Sequence, residues 1–391
     1  MIDFSLSDEQ KFLIEAVRTF IKTELAPHEQ AIEDTGVLEP EIAAQIHAKS
    51  KELGFYAMNI PEKFGGGGLS AVDTMLVEEQ FGHTTDILIR RAFGNVYEVL
   101  LACQGVQIER WLEPTVRGER VGSIAITETG AGSDAGGIRT RAEKQPNGTW
   151  RLTGSKVFIS DGTVSDFFIV SAVTDVQNKG ISLFLMDKGL KGFELGKDQL
   201  MMGLRGTSHL EMFFDNVELD ADCLLGVEGK GLKMALDVLG RVRLAQVGAR
   251  AVGKATHVMT LMADYANQRQ QFGKPIGTFQ LVQQMLADSV IEINAARLLV
   301  LHAAWLIDTG QTEQARNWIA MVKVNAAEML GRVVDRAVQV FGGMGFCKEL
   351  SIEKYYRDAR IYRIFDGTSE IHRTVLARNV LKQGSKVYDI L

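Results

Sequence analysis

The hydrophobic pattern of this chain changes period twice, and that limits the folds open to it. Up to about residue 120 apolar residues recur at helical spacing. From Ser123 they fall into short runs rich in aromatic and β-branched residues. After Gly229-Lys230-Gly231 the helical period returns and persists. The pattern predicts an α+β chain in three parts: an N-terminal helical domain over 1–120, a central antiparallel β-barrel domain over 121–229, and a C-terminal four-helix-bundle domain over 230–391. With 391 residues and 46% hydrophobic, the chain can support two or three cores.

Local signals refine the division. Ser7-Asp8-Glu9-Gln10 has the capping-box pattern, with Phe12, Leu13, Val17, Phe20 and Ile21 behind it and Pro27 closing the segment. Further helices are expected around 40–54, 71–82 and 86–103, interrupted by the glycine loop after Phe64. Strands are expected at 150–159, 167–173, 181–187 and 208–219. Their close spacing, with no helical stretch between, predicts antiparallel pairing throughout and excludes a βαβ unit. No proline follows Pro275, so the remainder can be helical. In 278–305 the set Leu281, Val282, Met285, Leu286, Val290, Ile293, Leu298, Leu301 and Trp305 forms a wide stripe suited to a bundle interior. Segments 312–340 and 367–382 add two more helices, the last begun by Thr368 or Ser369.

Composition excludes several function classes. A net charge of −6 without like-charge runs argues against a nucleic-acid partner. The start, MIDFSLSDEQ, lacks the cationic and apolar parts of a signal peptide, and no run of about 18 uncharged apolar residues occurs, so no membrane role is expected and a cytoplasmic location is. Cys103, Cys223 and Cys347 lie far apart, and His209, His302 and His372 are isolated. No metal site is expected, and the sequon at Asn147 is discounted.

Two motifs invite over-reading. Gly130-Ala131-Gly132-Ser133-Asp134-Ala135 satisfies the GxGxxA dinucleotide fingerprint, but Gly136 and Gly137 and the strands beyond leave no helix to receive a pyrophosphate. The loop still offers backbone N–H groups and small hydroxyls to a polar ligand, or is a simple chain reversal. Near the C-terminus Asp366 stands at the turn into the last helix, where an Asp serves as a turn residue, an N-cap or a catalytic group.

Five segments taken together carry a resemblance: AITETGAGSDAGGIRTRAE (125–143), GSKVFISDG (154–162), QRQQFGKPIGTFQLVQQMLAD (268–288), QVFGGMGF (339–346) and YYRDARIYRIFDGTSEIHRTVLARNVL (355–381). In content and order the chain resembles the flavin-dependent acyl-CoA dehydrogenase family over essentially its whole length. The resemblance implies FAD, a homotetramer, removal of hydrogens from Cα and Cβ of an acyl-CoA substrate, and an electron-transferring flavoprotein as electron acceptor. A saturated carbon–carbon bond donates hydride poorly to nicotinamide, so flavin chemistry suits the task.

It also implies roles residue by residue. Ile126, Thr127, Phe158 and Ser160 would line the flavin, with Phe158 where the family usually has Trp and Ser160 where it usually has Thr. Arg269, Phe272, Gln280, Gln339 and Gly343 would reach the FAD of a neighbouring subunit, and Thr368 and Glu370 would also touch cofactor. Ser133 and Arg243 would sit near the substrate. Asp366 falls where most members carry a catalytic Glu, which withdraws the carboxylate by about 1.5 Å when proton transfer needs heavy atoms within about 3 Å. Some members place their base at the position of Val242, which cannot take a proton, so Asp366 is the one motif-matched base.

The stretch 86–95 would line the acyl chamber, and its Arg90 and Arg91 either pair with protein carboxylates or hold a polar group at the far end of the acyl chain. Two rival readings remain: a nitroalkane-oxidase-type flavin enzyme that uses Asp on another acidic carbon, and a flavin-bearing scaffold without turnover.

Overall fold

The computed structural model describes residues 5–388 apart from 95 and 179; Asn95, within the 86–95 stretch, therefore lies outside the described residues. The N-terminal part is built from α1 (Asp8–Phe20), α2 (Glu29–Thr35), α3 (Pro40–Glu52), α4 (Ala71–Phe81), α5 (Asp86–Ala92) and α6 (Glu113–Val116). The Ser7 capping box is formed on both sides, with Ser7 Oγ accepting from Gln10 N. Pro27 does not end the helical path. It sits in the first turn of a 3-10 segment, where a missing N–H costs nothing, and the chain continues into α2. The helix expected over 86–103 breaks at Gly94, whose φ of 86° ends α5.

The middle part contains β1 (Gly122–Ala125), β2 (Arg141–Lys144), β3 (Trp150–Ser160), β4 (Phe167–Asp175), β5 (Gly180–Asp187), β6 (Phe193–Asp198), β7 (His209–Leu219) and β8 (Leu224–Leu225). The four expected strands are present, but among the described residues the sheet does not close into an antiparallel barrel. The sheet runs β6-β7-β3-β2-β4-β5-β8, with β6 and β8 at its ends, and β4 pairs parallel with both β1 and β2. The parallel pairing arises because Val121 and Asp166 are tied together, Asp166 N to Val121 O at 2.8 Å and Val121 N to the Asp166 carboxylate at 2.7 Å. β1 and β4 therefore set out side by side in the same direction. Its core is aromatic, with Trp150, Phe167, Phe168 and Phe184 buried, and Trp111 of the helical part sits in the same cluster.

The C-terminal part holds α7 (Gly231–Val242), α8 (Arg250–Gln268), a hairpin of β9 (Gln270–Gln271) and β10 (Lys274–Pro275), α9 (Gln280–Asp308), α10 (Thr312–Phe341), α11 (Gly343–Phe346), α12 (Ile352–Ala359) and α13 (Ser369–Gln383). Helix α4 packs against α8 at Gly82 and Gly253, where a Cβ on Gly253 would lie 1.7 Å from Glu79 O; only glycine permits that approach. The α9 stripe is not wholly interior. Ile293, Ala296, Val300 and Ala303 are buried, whereas Leu281, Val290, Leu298 and Trp305 are exposed, as is Ile291 at 66%. Helix α9 is long and apolar enough to cross a membrane by length and composition alone. Its Arg297, however, is bound to Glu79 of α4 at 2.9 Å, which makes it part of the bundle.

Candidate active site

The first group of expected residues assembles where β1 runs out beside β3. Val157 N donates to Thr127 O at 2.9 Å, which brings Ile126 and Thr127 alongside Phe158 and Ser160. A register shift between Lys156 and Ile159 puts Phe158 in a bulge with φ of 60°, and its ring is 54% exposed on a strand whose neighbours are buried. Together with the half-buried Thr127 and Ser160, the ring makes an aromatic shelf edged by hydroxyl-bearing residues, a donor set that fits the rim of a planar heteroaromatic cofactor. Beneath the shelf lies a residue that motif reading missed. Lys156 is 1% exposed and donates from Nζ to Ile126 O at 3.0 Å, Glu128 at 2.8 Å and Ser171 Oγ at 3.0 Å. Its pKa is pushed down to about 8 by burial, against the pull of Glu128. The strand alternation that puts Lys156 in phase with the buried Trp150 and Leu152 was the available signal.

The glycine loop follows. Glu128 and Ala131 bond each other in both directions, and the chain then enters a 3-10 turn over Ala135–Gly137 and β2, not an α-helix. The GxGxxA match is therefore outside a dinucleotide fold, as expected. Ser133 is exposed on this loop.

Asp366 occupies the tight reversal before α13, with φ of 55°, followed by Gly367 at 89°. Asp tolerates this left-handed conformation better than most residues. Three groups hold the turn. Arg243 Nε donates to Asp366 O at 2.7 Å, His372 Nε2 lies 3.2 Å from the same oxygen, and the wholly buried Lys323 Nζ donates to Tyr362 O at 2.7 Å. Arg243 is therefore tied to this turn from the far end of α7. It opens a π-helical stretch, Arg243–Ala249, between α7 and α8. Burial pushes the Asp366 carboxyl above its ordinary value, opposed by the positive charges of Arg243, Lys323 and Arg90. Thr368 caps α13 by accepting from Ile371 N at 3.2 Å, and Glu370 is exposed one position inside the helix.

Near this turn, where the Asp366 charge acts on Tyr97, lies a cleft walled by Met75, Phe93, Tyr97, Val242, Leu244 and other residues of α4, α7, the π-helical stretch after α7 and the segment after α5. Arg90 and Arg91 are not among the residues of that wall, and both hold protein carboxylates, the first of the two alternatives. Arg90 bonds Asp86 at 2.5 Å and Asp161 at 3.0 Å, and Arg91 bonds Asp161 at 3.1 Å. Asp161 is 1% exposed and directly follows β3, so the pairs tie α5 to the end of the aromatic shelf. Asp86 also faces Arg250, whose guanidinium grips the buried Glu78 at 2.5 and 3.2 Å. Charges this far from water persist only when paired in this way.

A second group gathers at one end of the helical bundle. Arg269 follows α8, and Phe272, with φ of 53°, tips the β9–β10 hairpin at 92% exposure. Gln280 begins α9, while Gln339 and Gly343 flank the close of α10. All five are exposed, with the Tyr265–Phe341 stack at 4.1 Å bracing the junction. An exposed arginine beside backbone N–H groups suits a pyrophosphate. Among the described residues no cluster of metal-ligating side chains occurs.

Comparison with known proteins agrees across the chain. Family models described as the acyl-CoA dehydrogenase N-terminal, middle and C-terminal domains match residues 7–119, 123–217 and 229–381. The acryloyl-CoA reductase (NADH) of Anaerotignum propionicum is 36% identical over 98% of this chain and 97% of its own. The butyryl-CoA dehydrogenase structure from Megasphaera elsdenii superposes with a TM-score of 0.89 at 33% identity, covering 97% of this chain and all of that one. An acyl-CoA dehydrogenase from Bacillus anthracis complexed with FAD gives a TM-score of 0.89 at 29% identity, over 98% of this chain and 70% of that one.

Proposed function

The chain belongs to the acyl-CoA dehydrogenase family of FAD-dependent oxidoreductases, and on that premise we propose that it desaturates an acyl-CoA thioester between Cα and Cβ, with Asp366 as the base that takes the Cα proton. The observation that carries this reading is the placement of Asp366: its backbone is pinned by Arg243 through the carbonyl, which leaves the carboxylate lone pairs open to receive a proton. Burial raises the affinity of that carboxylate for a proton, which a base for a weakly acidic carbon requires. Bound FAD supplies the acceptor for the Cβ hydrogen and its electron pair. Phe158 would cover the ring, Ile126, Thr127 and Ser160 would edge it, and Thr368 and Glu370 would lie near it. Arg269, Phe272, Gln280, Gln339 and Gly343 would hold the cofactor of a neighbouring subunit. Ser133 and Arg243 would sit near the CoA ester, with Arg243 also holding the Asp366 turn.

This arrangement needs more than one copy of the chain, and the exposed apolar face of α9 is consistent with a homotetramer. We place the enzyme in the cytoplasm, with an electron-transferring flavoprotein as its oxidant. The acryloyl-CoA reductase (NADH) relative supports a second direction, in which FAD, reduced by a nicotinamide donor, would supply hydride to Cβ of an enoyl-CoA while protonated Asp366 returns the proton to Cα.

Anaerobic titration with a panel of CoA esters tests the reading: a substrate bleaches the flavin, and Asp366→Asn keeps the yellow colour but slows bleaching by about 1,000-fold. Bleaching by nitroalkanes and by no CoA ester would replace this reading with the oxidase, and unchanged behaviour of Asp366→Asn would leave only a scaffold.

A further inference from the structure

The cleft near Asp366 is not lined as a pocket for a plain hydrocarbon would be. Leu69, Met75, Phe93, Leu244 and Ile307 supply apolar wall, Thr74, Glu78, Tyr97 and Gln246 are polar members of it, and Asn59, Glu98 and Arg241 stand together in it. Asn59 Nδ2 reaches Glu98 Oε1 at 3.3 Å, and Arg241 Nη1 reaches Glu98 Oε2 at 3.4 Å. Both contacts are long for N–H···O bonds, whose usual length is about 2.9 Å, and they contrast with the 2.5 Å grip of Arg250 on Glu78 in the same wall. The Glu98 carboxylate is 13% exposed, and the Arg241 side chain, 51% exposed, has donors to spare. Burial holds the Glu98 carboxyl above its usual range, so water does not fully solvate it.

We infer that the preferred acyl group has an apolar body bearing a neutral hydrogen-bonding substituent, a hydroxyl or an amide, that engages Glu98 and Arg241. The inference rests on the acyl-CoA reading above. A hydroxyl donates to Glu98 and accepts from Arg241 or Asn59, so it completes the loose trio. A methyl in its place strips water from a carboxylate and a guanidinium without returning a bond. A carboxylate or an ammonium must instead compete with one member of a pair that is already neutral as a whole.

The test uses the FAD-loaded enzyme with an artificial electron acceptor and compares kcat/KM for ω-hydroxyhexanoyl-CoA, the equally long heptanoyl-CoA, and adipoyl-CoA, with ω-hydroxybutanoyl-CoA against pentanoyl-CoA as the shorter pair. The expected result is a preference of about tenfold or more for the hydroxyacyl ester in at least one pair, with adipoyl-CoA below it. Glu98→Leu and Arg241→Met should each cut that ratio to about threefold or less; Arg241 is exposed enough for its variant to fold. Equal or better use of the alkyl esters at both lengths, a lead for adipoyl-CoA, or a ratio untouched by both substitutions would overturn the inference and leave the dehydrogenase reading standing. Failure of every CoA ester to bleach the flavin would instead remove the dehydrogenase reading.

Discussion

Arg243 donates its Nε–H to the main-chain carbonyl of Asp366, at 2.7 Å, and so fixes the carboxylate by its backbone. The distinction matters because a charge-assisted bond to the carboxylate itself would stabilise the ionised form and weaken the base. His372 shares the same carbonyl, and the left-handed φ of Asp366 persists because both donors hold it. Arg243→Met should lower kcat by about tenfold to a hundredfold, as expected when positioning alone is lost, with Arg243→Lys recovering part of it. Stopped-flow flavin reduction reads this directly, and an unchanged rate would show that the turn holds itself.

Lys323 gives a pH signature. Asp366 acts as a base only when ionised, so activity should rise with pH through a carboxyl value displaced above the ordinary one. The buried Lys323 ammonium holds that value down, and its own pKa is lowered to about 8. In Lys323→Met the acid limb of the kcat profile should therefore move to higher pH. A limb that stays put or moves lower would disprove the coupling.

Stability at low pH should depend on a buried histidine pair. The rings of His83 and His257 lie 5.5 Å apart, and burial together with neighbouring positive charges lowers their pKa values to about 3 and about 4. His83 faces Arg18, Lys254 and Arg297 as well as His257, and Lys254 and Lys354 face His257. Below the ordinary value of 6.5 the unfolded chain binds protons that the folded chain refuses, so stability falls as pH falls. At pH 5 one such histidine costs about 2 kcal/mol relative to neutrality. His83→Leu should show a flatter decline of Tm from pH 7 to pH 5, and an identical slope would rule this out.

Arg90 should prove structural. Arg90→Met leaves Asp86 and Asp161 short of a partner in a buried network, at a cost of about 3 kcal/mol by urea unfolding. Relative kcat/KM for plain and ω-carboxylated acyl-CoAs should not change. A selective loss of ω-carboxylated substrates would return this arginine to the pocket.

Much of the framework was legible in the order of residues. The Ser7 cap, the four long strands, the helical tail and the Asp366 turn are written in local periodicity and turn chemistry, which act over a few neighbours. Sheet direction was not, because strand spacing does not say that Val121 and Asp166 will bond and align β1 with β4. Nor were the buried cations. Lys156, Lys323 and Arg250 read as ordinary surface charges until partners distant in the chain enclose them.

By itself the sequence determined the three-part chain, its family and the carboxylate offered as base, since period and motif are properties of neighbouring residues. Only the tertiary structure decided what the charges do. It gave Arg90 and Arg91 to Asp161, turned Arg243 to the Asp366 carbonyl, and put Glu98 beside Arg241 in the cleft wall. A buried ion is tolerable only with a counterion at contact distance, and which residue provides it is settled by how helices and sheet pack, over separations that local patterning does not encode.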